Sequence, residues 1–411
     1  MTLAVPCPGS KSMTQRALVM AALGRRGGSL RGALVCDDSR YLSQALRTLG
    51  GDVTWQDTEV EVTSCPLEGG ESVLFCGNAG TAVRFLSGLG LVARSPYTVD
   101  GDDHMRGRPL AAMADALTAL GARVSFPARE GYPPMRIEPR APEGPSSVSV
   151  DGSLSSQYAT GLLLAAPRLP GGLRLHLTGD PVSRPYLDMT VAMMSRAGAE
   201  IHWADGNRLV VEAGDYTDTS FDIEPDWSAA AFLMAAAYIV GRDIRIPGLL
   251  PPGESLQGDS AFALFLDRVR TGGPQSFDLT HVPDLLPPLV AAALFADGPT
   301  RIRGAAHTRV KESDRLAVLA RGLRTVGAQV TEHPDGMDLE PLDAPHGRPV
   351  TLDPDDDHRM AMAFGLMSLR IPGITIENPD CVTKSFPDFW SVLDLIAGGS
   401  GPGNPGRGES G

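Results

Sequence analysis

One junction recurs six times in this 411-residue chain: an amphipathic helix, a glycine just past its end, and a short strand. Glycine suits this place because the residue after a helix often adopts a left-handed backbone conformation. Chance recurrence of a common junction is the alternative, but the separations of 55 to 77 residues indicate about six α/β units. The clearest copies are ALRTLGGDVTW at 45–55, ALTALGARVSF at 116–126, MMSRAGAEIHW at 193–203 and GLRTVGAQVTE at 322–332, with weaker copies at 265–273 and 392–399. The glycines are Gly50, Gly121, Gly198, Gly272, Gly327 and Gly398.

The segment GDYTDTSFDIEP at 214–225 is polar, lacks strong periodicity and lies between the third and fourth units. A boundary there divides the chain into two lobes of three units each, so the predicted fold class is α/β with two lobes. The residues from 398 onward are mostly Gly, Pro and Ser, a composition that cannot build a core. The sequence therefore predicts a disordered tail over 398–411.

The composition limits the partners of the chain. A net charge of −13 disfavours nucleic acid and acidic membranes, so an anion site must be a local cluster of basic residues. The chain has no run of 18 apolar residues, so no membrane span is expected, and its first residues do not resemble a signal peptide. The five cysteines are scattered without a C-x-x-C pair, which favours a reducing cytoplasm and argues against a zinc site.

Basic side chains stand where several predicted helices begin, although a helix start carries the positive end of the helix dipole. Lys11, in VPCPGSKSMTQRAL, precedes an apolar helix on which Ser12 and Arg16 share one face. The unpaired backbone N–H groups of such a start bind anions. We therefore expect helix starts from both lobes to converge on anionic groups. The other basic residues near helix starts are Arg359, Lys384, and the pair Lys311 and Arg315, which TRVKESDRLAVLARGL places with Glu312 on one predicted helix.

Uncharged and acidic residues open further predicted helices, and simple capping of the first N–H groups is the alternative explanation for them. They are Gly80 in GNAGTA, Ser155, Ser156 and Gln157 in GSLSSQ, Ser183 in VSRPY, and Asp284 in VPD. The sequence DDDHR at 355–359 lacks further ligands at metal-binding spacing. The chain also lacks the G-x-x-x-x-G-K-[ST] loop, so neither a metal nor a nucleoside triphosphate site is expected.

Together these motifs resemble those of the enolpyruvyl transferase family, and within it the members that act on shikimate 3-phosphate. The resemblance covers nearly the whole chain and rests on PGSKSxxxRA, GNAGTAxR, RGRP, GSxSSQ, VSRPY, VPD, RVKESDR, DHRMAM and TKSFPD. It implies two lobes, each of three similar α/β units in an inside-out α/β barrel, with the active site in the cleft between them. It also implies that the chain crosses between the lobes twice. Residues 1–9 plus 226–397 would then form the C-terminal lobe and 10–225 the N-terminal lobe.

The reaction implied by the resemblance joins phosphoenolpyruvate to the 5-hydroxyl group of shikimate 3-phosphate and releases phosphate. The hydroxyl must lose a proton and the vinyl carbon must gain one, which a pair of carboxylates can accomplish. By resemblance, Asp284 is the base on the hydroxyl, and Glu312 protonates the methylene carbon and later removes a proton. Lys11 assists proton transfer at the leaving phosphate.

The resemblance also assigns the ligands of the two anionic substrates. No metal or organic cofactor is implied, no nucleic acid or membrane partner is expected, and a monomer is favoured. The residues for shikimate 3-phosphate are Lys11, Ser12, Arg16, Ser155, Ser156, Gln157, Ser183, Asp284, His307 and Lys311. Those for phosphoenolpyruvate are Lys11, Gly80, Arg108, Gln157, Arg315, Arg359 and Lys384.

Gly80 is expected to let its ligand approach the backbone closely, because glycine has no Cβ. In the family the inhibitor glyphosate occupies the phosphoenolpyruvate site, so the resemblance implies that this chain is a glyphosate target. A methyl group at Gly80 is then expected to weaken the inhibitor more than the substrate. The alternative is that Gly80 only permits an unusual backbone angle.

Three positions depart from the family pattern. His307 stands where asparagine is common, Phe85 stands where many members have proline, and EPDWSAA opens the fourth-unit helix.

Three alternative functions stay open. A transferase acting on a UDP-sugar would normally carry asparagine in place of Ser12. A secondary-metabolism paralogue acting on a related shikimate compound is compatible with His307, whereas the intact catalytic set opposes a non-catalytic anion-binding homologue.

Overall fold

The computed structural model describes residues 2–140, 144–344 and 347–398 and is an α/β fold. The helices are α1 (Lys11–Leu23), α2 (Asp37–Thr48), α3 (Gly80–Leu89), α4 (Asp103–Arg106), α5 (Ala111–Ala119), α6 (Ser156–Ala165), α7 (Arg184–Arg196), α8 (Trp227–Val240), α9 (Phe262–Arg270), α10 (Leu286–Ala293), α11 (Arg315–Thr325), α12 (His358–Ser368) and α13 (Phe389–Ala397). The strands are β1 (Leu3–Ala4), β2 (Gly28–Arg31), β3 (Val53–Gln56), β4 (Glu59–Val62), β5 (Val73–Phe75), β6 (Tyr97–Asp100), β7 (Arg123–Ser125), β8 (Met135–Glu138), β9 (Ser146–Asp151), β10 (Leu173–Thr178), β11 (Ile201–Trp203), β12 (Arg208–Val211), β13 (Ser220–Asp222), β14 (Ile244–Arg245), β15 (Gln275–Asp278), β16 (Thr300–Arg303), β17 (Val330–His333), β18 (Gly336–Leu339), β19 (Val350–Leu352) and β20 (Ile374–Ile376). Within the described ranges, no helix is both long and apolar enough to cross a membrane.

The chain forms two compact units, and one of them joins the two ends of the sequence. Gly9–Ile223 forms one unit, and Met1–Pro8 with Glu224–Gly411 forms the other. The strand pairs follow this division, because β1 pairs in parallel with β14, and β13 pairs in parallel with β2. Of the predicted tail, Gly398 ends α13, and residues 399–411 lie outside the described residues.

Four sheets share one strand order, which shows that the units behind the sequence repeat are similar in structure. Each has a parallel pair followed by two antiparallel neighbours, in the orders β13-β2-β4-β3, β5-β6-β8-β7, β9-β10-β12-β11 and β15-β16-β18-β17. The sheets β1-β14 and β19-β20 consist of the parallel pair alone. In β9 and β10 buried and exposed residues alternate, with Val148 opposite Leu175, so one face of this sheet is buried.

Two kinds of helix alternate along much of the chain. Helices with polar starts are buried on nearly all sides: α1 buries eleven of its thirteen residues and α12 ten of its eleven. Helices before the repeated glycines are amphipathic, with six of twelve residues buried in α2 and three of nine in α9. A helix that is apolar all round must lie inside a protein, so the polar groups of the inner helices concentrate near their first turns.

The repeated glycines have the backbone conformation that the junction predicts. Their φ angles lie between 72° and 100°, the left-handed region that favours glycine. They follow the ends of α2, α5, α7, α9, α11 and α13. This part of the sequence interpretation is confirmed.

Glycine also allows two inner helices to touch. A Cβ on Gly88 of α3 would overlap the carbonyl oxygen of Gly161 on α6, and a Cβ on Gly161 would overlap the carbonyl oxygen of Arg84. Because neither glycine carries a side chain, the backbones of α3 and α6 lie in contact.

The segment before α11 differs from its prediction. The sequence predicts Lys311, Glu312 and Arg315 on one helix, but α11 begins at Arg315. Asp314 is its N-cap and accepts a hydrogen bond from the backbone N–H of Ala317 at 3.1 Å. An aspartate cap defines the helix start strongly, so Lys311 and Glu312 stay outside the helix.

Candidate functional site

Lys11 is the first residue of α1, in the Gly9–Ile223 unit. Ser10 caps this helix, because its hydroxyl oxygen accepts a hydrogen bond from the backbone N–H of Met13 at 3.5 Å. The Lys11 ammonium lies 3.1 Å from Oδ2 of Asp38, whose carboxylate is buried. Asp38 thus supplies a negative charge to a cation that the helix dipole disfavours. Sequence reasoning missed Asp38, because an acidic residue in the first turn of a helix such as α2 is ordinary.

Arg16 lies one turn further along α1 and is buried. Its guanidinium donates to Oγ1 of Thr190 at 2.8 Å and to the carbonyl oxygens of Ser12 and Tyr186 at 2.9 and 3.1 Å. The ring of Phe85 lies against it, with its centroid 5.4 Å from Cζ. Burial lowers the pKa of Arg16 to about 10, which still leaves the group charged at neutral pH. All the hydrogen bonds found for Arg16 in the described ranges thus go to uncharged oxygens.

Gly80 and Gln157 belong to the starts of α3 and α6, and Arg108 lies between α4 and α5. Gly80 is the first residue of α3 and is not in the left-handed region, so the alternative of an unusual backbone angle is wrong. A Cβ on Gly80 would lie 2.5 Å from Nη2 of Arg108, which also donates from Nη1 to Oδ1 of Asn78 at 3.2 Å. Gln157 donates to Oγ1 of Thr81 at 3.3 Å. Gly80 therefore makes room for the Arg108 guanidinium.

The serines at the starts of α6 and α7 behave differently. Ser155 caps α6 by accepting from the backbone N–H of Gln157 at 3.2 Å, so the capping alternative is right for its hydroxyl oxygen. Ser156 is the first residue of α6 and is buried. Ser183 precedes α7 with a left-handed backbone (φ 56°, ψ 36°), is buried and makes no capping hydrogen bond. Such a conformation costs a non-glycine residue about 1–3 kcal/mol and is typical of binding sites.

A second group of charged side chains lies in the unit that contains Glu224–Gly411. We name it the Arg315 cluster: Arg315, Asp284, Glu312, Asp357 and Arg359. Arg315, 1% exposed, donates from Nη1 to Oδ1 of Asp284 at 2.9 Å and from Nη2 to Oε2 of Glu312 at 2.8 Å. Its Nε donates to Oδ2 of Asp357 at 2.7 Å. Burial alone would lower the pKa of Arg315, but the three carboxylates raise it, so this guanidinium is a permanent cation.

Asp284 joins the two arginines of the Arg315 cluster. Its Oδ2 lies 3.0 Å from Nη2 of Arg359, the second residue of α12. Burial would raise the pKa of Asp284, but the charges of Arg359, Lys311 and Arg315 outweigh it and hold the pKa below its usual range. The capping alternative is insufficient for Asp284, because its side chain forms ion pairs with both arginines.

Two further titratable residues lie near the Arg315 cluster. The Lys384 ammonium lies 3.9 Å from Oε1 of Glu312. Asp259 is buried and accepts a hydrogen bond from the Ser228 hydroxyl, and burial together with the charge of Asp284 raises its pKa to about 7. No motif in the sequence indicated this buried carboxylate.

His307 is part of the short 3₁₀ turn Ala306–Val310. Burial, followed by the charge of Lys311, lowers the pKa of His307 to about 4, so its imidazole is neutral at physiological pH. Its Nε2 is buried and has no hydrogen-bond partner in the described part of the chain. A buried ring nitrogen without a partner is available to a polar group of a ligand.

The two units offer different chemistry. In the Gly9–Ile223 unit, helix starts present cations, hydroxyl groups and an amide, which suit phosphate and carboxylate oxygens. In the other unit, one guanidinium holds Asp284 and Glu312, an arrangement that suits two proton transfers. Across residues 2–140, 144–344 and 347–398, no three His, Cys, Asp or Glu side chains are grouped to hold a metal ion.

Solved structures share this fold. An EPSP synthase from Acinetobacter baumannii aligns with a TM-score of 0.76 at 24% identity, with 96% of each chain covered. The enolpyruvyl transferase NikO from Streptomyces tendae aligns with a TM-score of 0.75 at 18% identity, over 96% of this chain and 95% of that one. The chain therefore has the fold of the enolpyruvyl transferases.

Sequence comparison narrows this class to one family. The family model for EPSP synthase (3-phosphoshikimate 1-carboxyvinyltransferase) matches residues 2–393. A 3-phosphoshikimate 1-carboxyvinyltransferase from Methanoculleus marisnigri is 38% identical over 410 residues, which are 95% of this chain and 96% of the relative. One from Vibrio campbellii is 37% identical over 418 residues, 96% of each. The chain belongs to the EPSP synthase family.

Proposed function

We propose that this chain transfers the enolpyruvyl group of phosphoenolpyruvate to the 5-hydroxyl group of shikimate 3-phosphate. A C–O bond forms between that hydroxyl oxygen and C2 of phosphoenolpyruvate, and the C2–O bond to the phosphoryl group breaks. The products are phosphate and 5-enolpyruvylshikimate 3-phosphate, in the shikimate pathway. Within a chain of this family, the observation that carries the proposal is the single guanidinium of Arg315 bonded to both Asp284 and Glu312.

Asp284 is the proposed base for the 5-hydroxyl group. Its lowered pKa keeps it ionised before the substrates bind. The anionic substrates then share the charges of Arg359 and Lys311, which raises the proton affinity of the carboxylate. Glu312 protonates the methylene carbon as the new C–O bond forms. It takes a proton back from that carbon when phosphate leaves, which restores the double bond.

Lys11 is proposed to bind phosphoenolpyruvate and to assist proton transfer at the leaving phosphate. The ion pair with Asp38 fixes its ammonium at the start of α1, where the backbone N–H groups of a helix start also favour an anion. Arg108, beside Gly80, supplies a forked donor that matches phosphate or carboxylate oxygens. The other residues of the two predicted ligand sets keep their proposed roles, as do the proposed lobes, 1–9 plus 226–397 and 10–225.

The second candidate acceptor is a related shikimate compound, as for a paralogue of secondary metabolism. The observation that favours it is His307, whose neutral ring places an unpaired Nε2 where relatives commonly have asparagine. An imidazole offers a single donor or acceptor at Nε2, whereas an amide offers both. Recognition of the acceptor's ring substituents is therefore expected to differ from that of the common form.

The proposal further places the chain in the cytoplasm, as a monomer that glyphosate inhibits. The five cysteines are free, as suits a reducing compartment. Burial raises the pKa of the Cys36 thiol to about 11, which keeps it unreactive. Glyphosate is an anion, and Arg108 beside Gly80 offers it the same donors as phosphoenolpyruvate.

A phosphate-release assay tests the function directly. With shikimate 3-phosphate and phosphoenolpyruvate together, we expect turnover and a product whose mass equals the acceptor plus the enolpyruvyl group. Neither substrate alone should release phosphate. Unphosphorylated shikimate and a UDP-sugar serve as alternative acceptors. Faster turnover with either alternative, or none with shikimate 3-phosphate, would contradict the proposed acceptor.

A further inference from the structure

Asp357 has more hydrogen bonds than a helix cap requires, although its side chain is fully buried. Oδ1 accepts from the backbone N–H of Arg359 at 2.9 Å and so caps α12. Oδ2 accepts from Nε of Arg315 at 2.7 Å and from the Ser313 hydroxyl at 3.2 Å. Nη2 of Arg315 also lies 3.5 Å from Oδ1. Capping needs one oxygen, so the second oxygen is engaged in holding Arg315.

Arg315 connects Asp357 to Asp284 and Glu312, the proposed base and acid. Asp357 binds the Nε edge, while Nη1 donates to Asp284 and Nη2 to Glu312. A guanidinium is planar and rigid, so fixing one edge fixes the direction of the other N–H groups. The relative position of the two carboxylates therefore depends on how Asp357 orients one side chain.

Asp357 also acts on Asp284 by a second route. The cap that it forms orders the first turn of α12, and Arg359 is the second residue of that helix. Nη2 of Arg359 lies 3.0 Å from Oδ2 of Asp284, while Arg315 holds Oδ1. Both oxygens of Asp284 are thus held by arginines that Asp357 anchors.

We propose that Asp357 is a positioning residue for enolpyruvyl transfer, which fixes Arg315 and the start of α12 so that Asp284 and Glu312 keep the geometry of their proton transfers. This inference rests on the proposed function. Asp357 acts through the two arginines and not on the reacting atoms. A displacement of about 1 Å in catalytic groups can cost on the order of 10²-fold in rate, so the loss of this anchor is expected in kcat.

The principal test is Asp357→Asn. Asparagine caps a helix as well as aspartate, so the start of α12 is kept. Its amide nitrogen, however, replaces the oxygen that accepts from Arg315 and Ser313, so donors oppose donors. We expect kcat to fall about 10- to 100-fold, while the Kd for shikimate 3-phosphate, measured by calorimetry, changes less than about threefold.

Asp314→Asn is the matched control. Asp314 caps α11, which begins with Arg315, just as Asp357 caps α12. Its carboxylate accepts from Nη1 of Arg309 and makes no hydrogen bond to the Arg315 side chain. We expect this variant to keep kcat within about twofold of the wild type, since a surface ion pair contributes little.

A double-mutant cycle with Arg315→Lys shows whether Asp357 acts through Arg315. If it does, Asp357→Asn lowers kcat no more than about twofold further in the Arg315→Lys background, because the transmitting group is already lost. Additive losses, a kcat equal to that of the wild type, or a larger loss in shikimate 3-phosphate affinity than in kcat would each overturn the inference.

Two further measurements keep the outcome decisive. Thermal unfolding is recorded for each variant. If Asp357→Asn does not fold, Asp357→Ser replaces it in the same double-mutant cycle, because serine is a smaller helix cap that does not place an amide donor against Arg315. The wild type is assayed alongside with both substrates. An inactive wild type would contradict the proposed function, whereas an active wild type with an equally active Asp357→Asn variant would contradict the positioning role alone.

Discussion

Buried arginines serve opposite purposes in the two compact units. In Gly9–Ile223, Arg16 and Arg84 donate to carbonyl and hydroxyl oxygens, and neither has a carboxylate partner in the described ranges. In the other unit, Arg315 is bonded to three carboxylates. A buried charge is costly unless a counter-charge is present, so the first arrangement favours an incoming anion. The second arrangement uses its cation to hold three carboxylates in place, so the two units differ in whether a buried arginine is neutralised by the protein itself.

The largest effect is expected from removing the two carboxylates that are proposed to carry the proton transfers. Asp284→Asn and Glu312→Gln keep the size of each side chain but remove its acid–base function. We expect kcat to fall on the order of 10²- to 10⁴-fold in each, the usual range for a lost acid or base. Stopped-flow or steady-state phosphate release measures this, with circular dichroism as the folding check. A variant that retains the wild-type kcat would remove its residue from the mechanism and erase the contrast between the units.

Lys11 differs from the buried Arg16 and Arg84 of its own unit, because it pairs with a carboxylate. Lys11→Ala is expected to lower kcat at least about 10²-fold, through loss of a proton-transfer group. It also leaves the buried Asp38 without this partner. Adding Asp38→Asn should recover thermal stability but not turnover. Recovery of both would show that Lys11 acts only by balancing Asp38.

Stability measurements test the contrast between the arginines themselves. Arg315→Met leaves Asp357 buried without its cation, and breaking a buried ion pair costs about 3–5 kcal/mol. Arg16→Met loses hydrogen bonds to neutral oxygens, and it leaves no buried carboxylate without its cation. We expect this change to cost about 1–3 kcal/mol. Urea unfolding should therefore show the lower midpoint for Arg315→Met. The reverse order would mean that charge balance does not distinguish the two units.

Gly80→Ala tests how tightly the start of α3 is fitted around Arg108. The added methyl group would meet the end of a flexible side chain, so we expect the fold to be kept and Arg108 to move. The KM for phosphoenolpyruvate should rise a few-fold and the glyphosate inhibition constant by more, because sensitivity is a difference between two affinities. The ratio of the two constants is the measurement. An unchanged ratio would contradict a role for Gly80 in distinguishing the ligands.

The smallest effect concerns His307. Its folded pKa of about 4 lies below the unfolded value near 6.5, so the unfolded chain binds more protons between these pH values and the wild type loses stability as pH falls. Lys311, His281 and Arg315 oppose protonation, and Asp284 favours it. His307→Asn should lose less stability between pH 7 and 5, by a few degrees in Tm. Equal losses in both proteins would contradict the burial of a neutral imidazole.

The sequence predicted the repeated architecture well, because local chemistry determines it. Positions such as Gly50 and Gly327 are specified by the helix end that precedes them, and both adopt the expected left-handed backbone. The inner helices were recognisable from apolar runs with polar first turns. The start of α11 was misplaced, because Asp314 as a cap competes with two helix-compatible residues before it.

The site was predictable in its members but not in their partners. Motifs identified Asp284, Glu312 and Arg315, yet the contacts of Arg315 with Asp284 and Asp357 join segments that are distant in the chain. The sequence did not reveal the roles of Asp38 and Asp357, because each stands at a helix start. An aspartate there is already explained by capping or by the helix dipole. Only the folded chain shows which cation each carboxylate meets.

The pairing of β1 with β14 has a consequence for synthesis on the ribosome. Every described strand of the Gly9–Ile223 unit, including β13, has been made once residue 223 is added, so this unit can fold while translation continues. The other unit must wait, because Leu3, made at the outset, finds its neighbour Ile244 only about 240 residues later. For much of translation β1 therefore has no strand to pair with. A fragment beginning at residue 224 would lack β1, which is one strand of its own sheet.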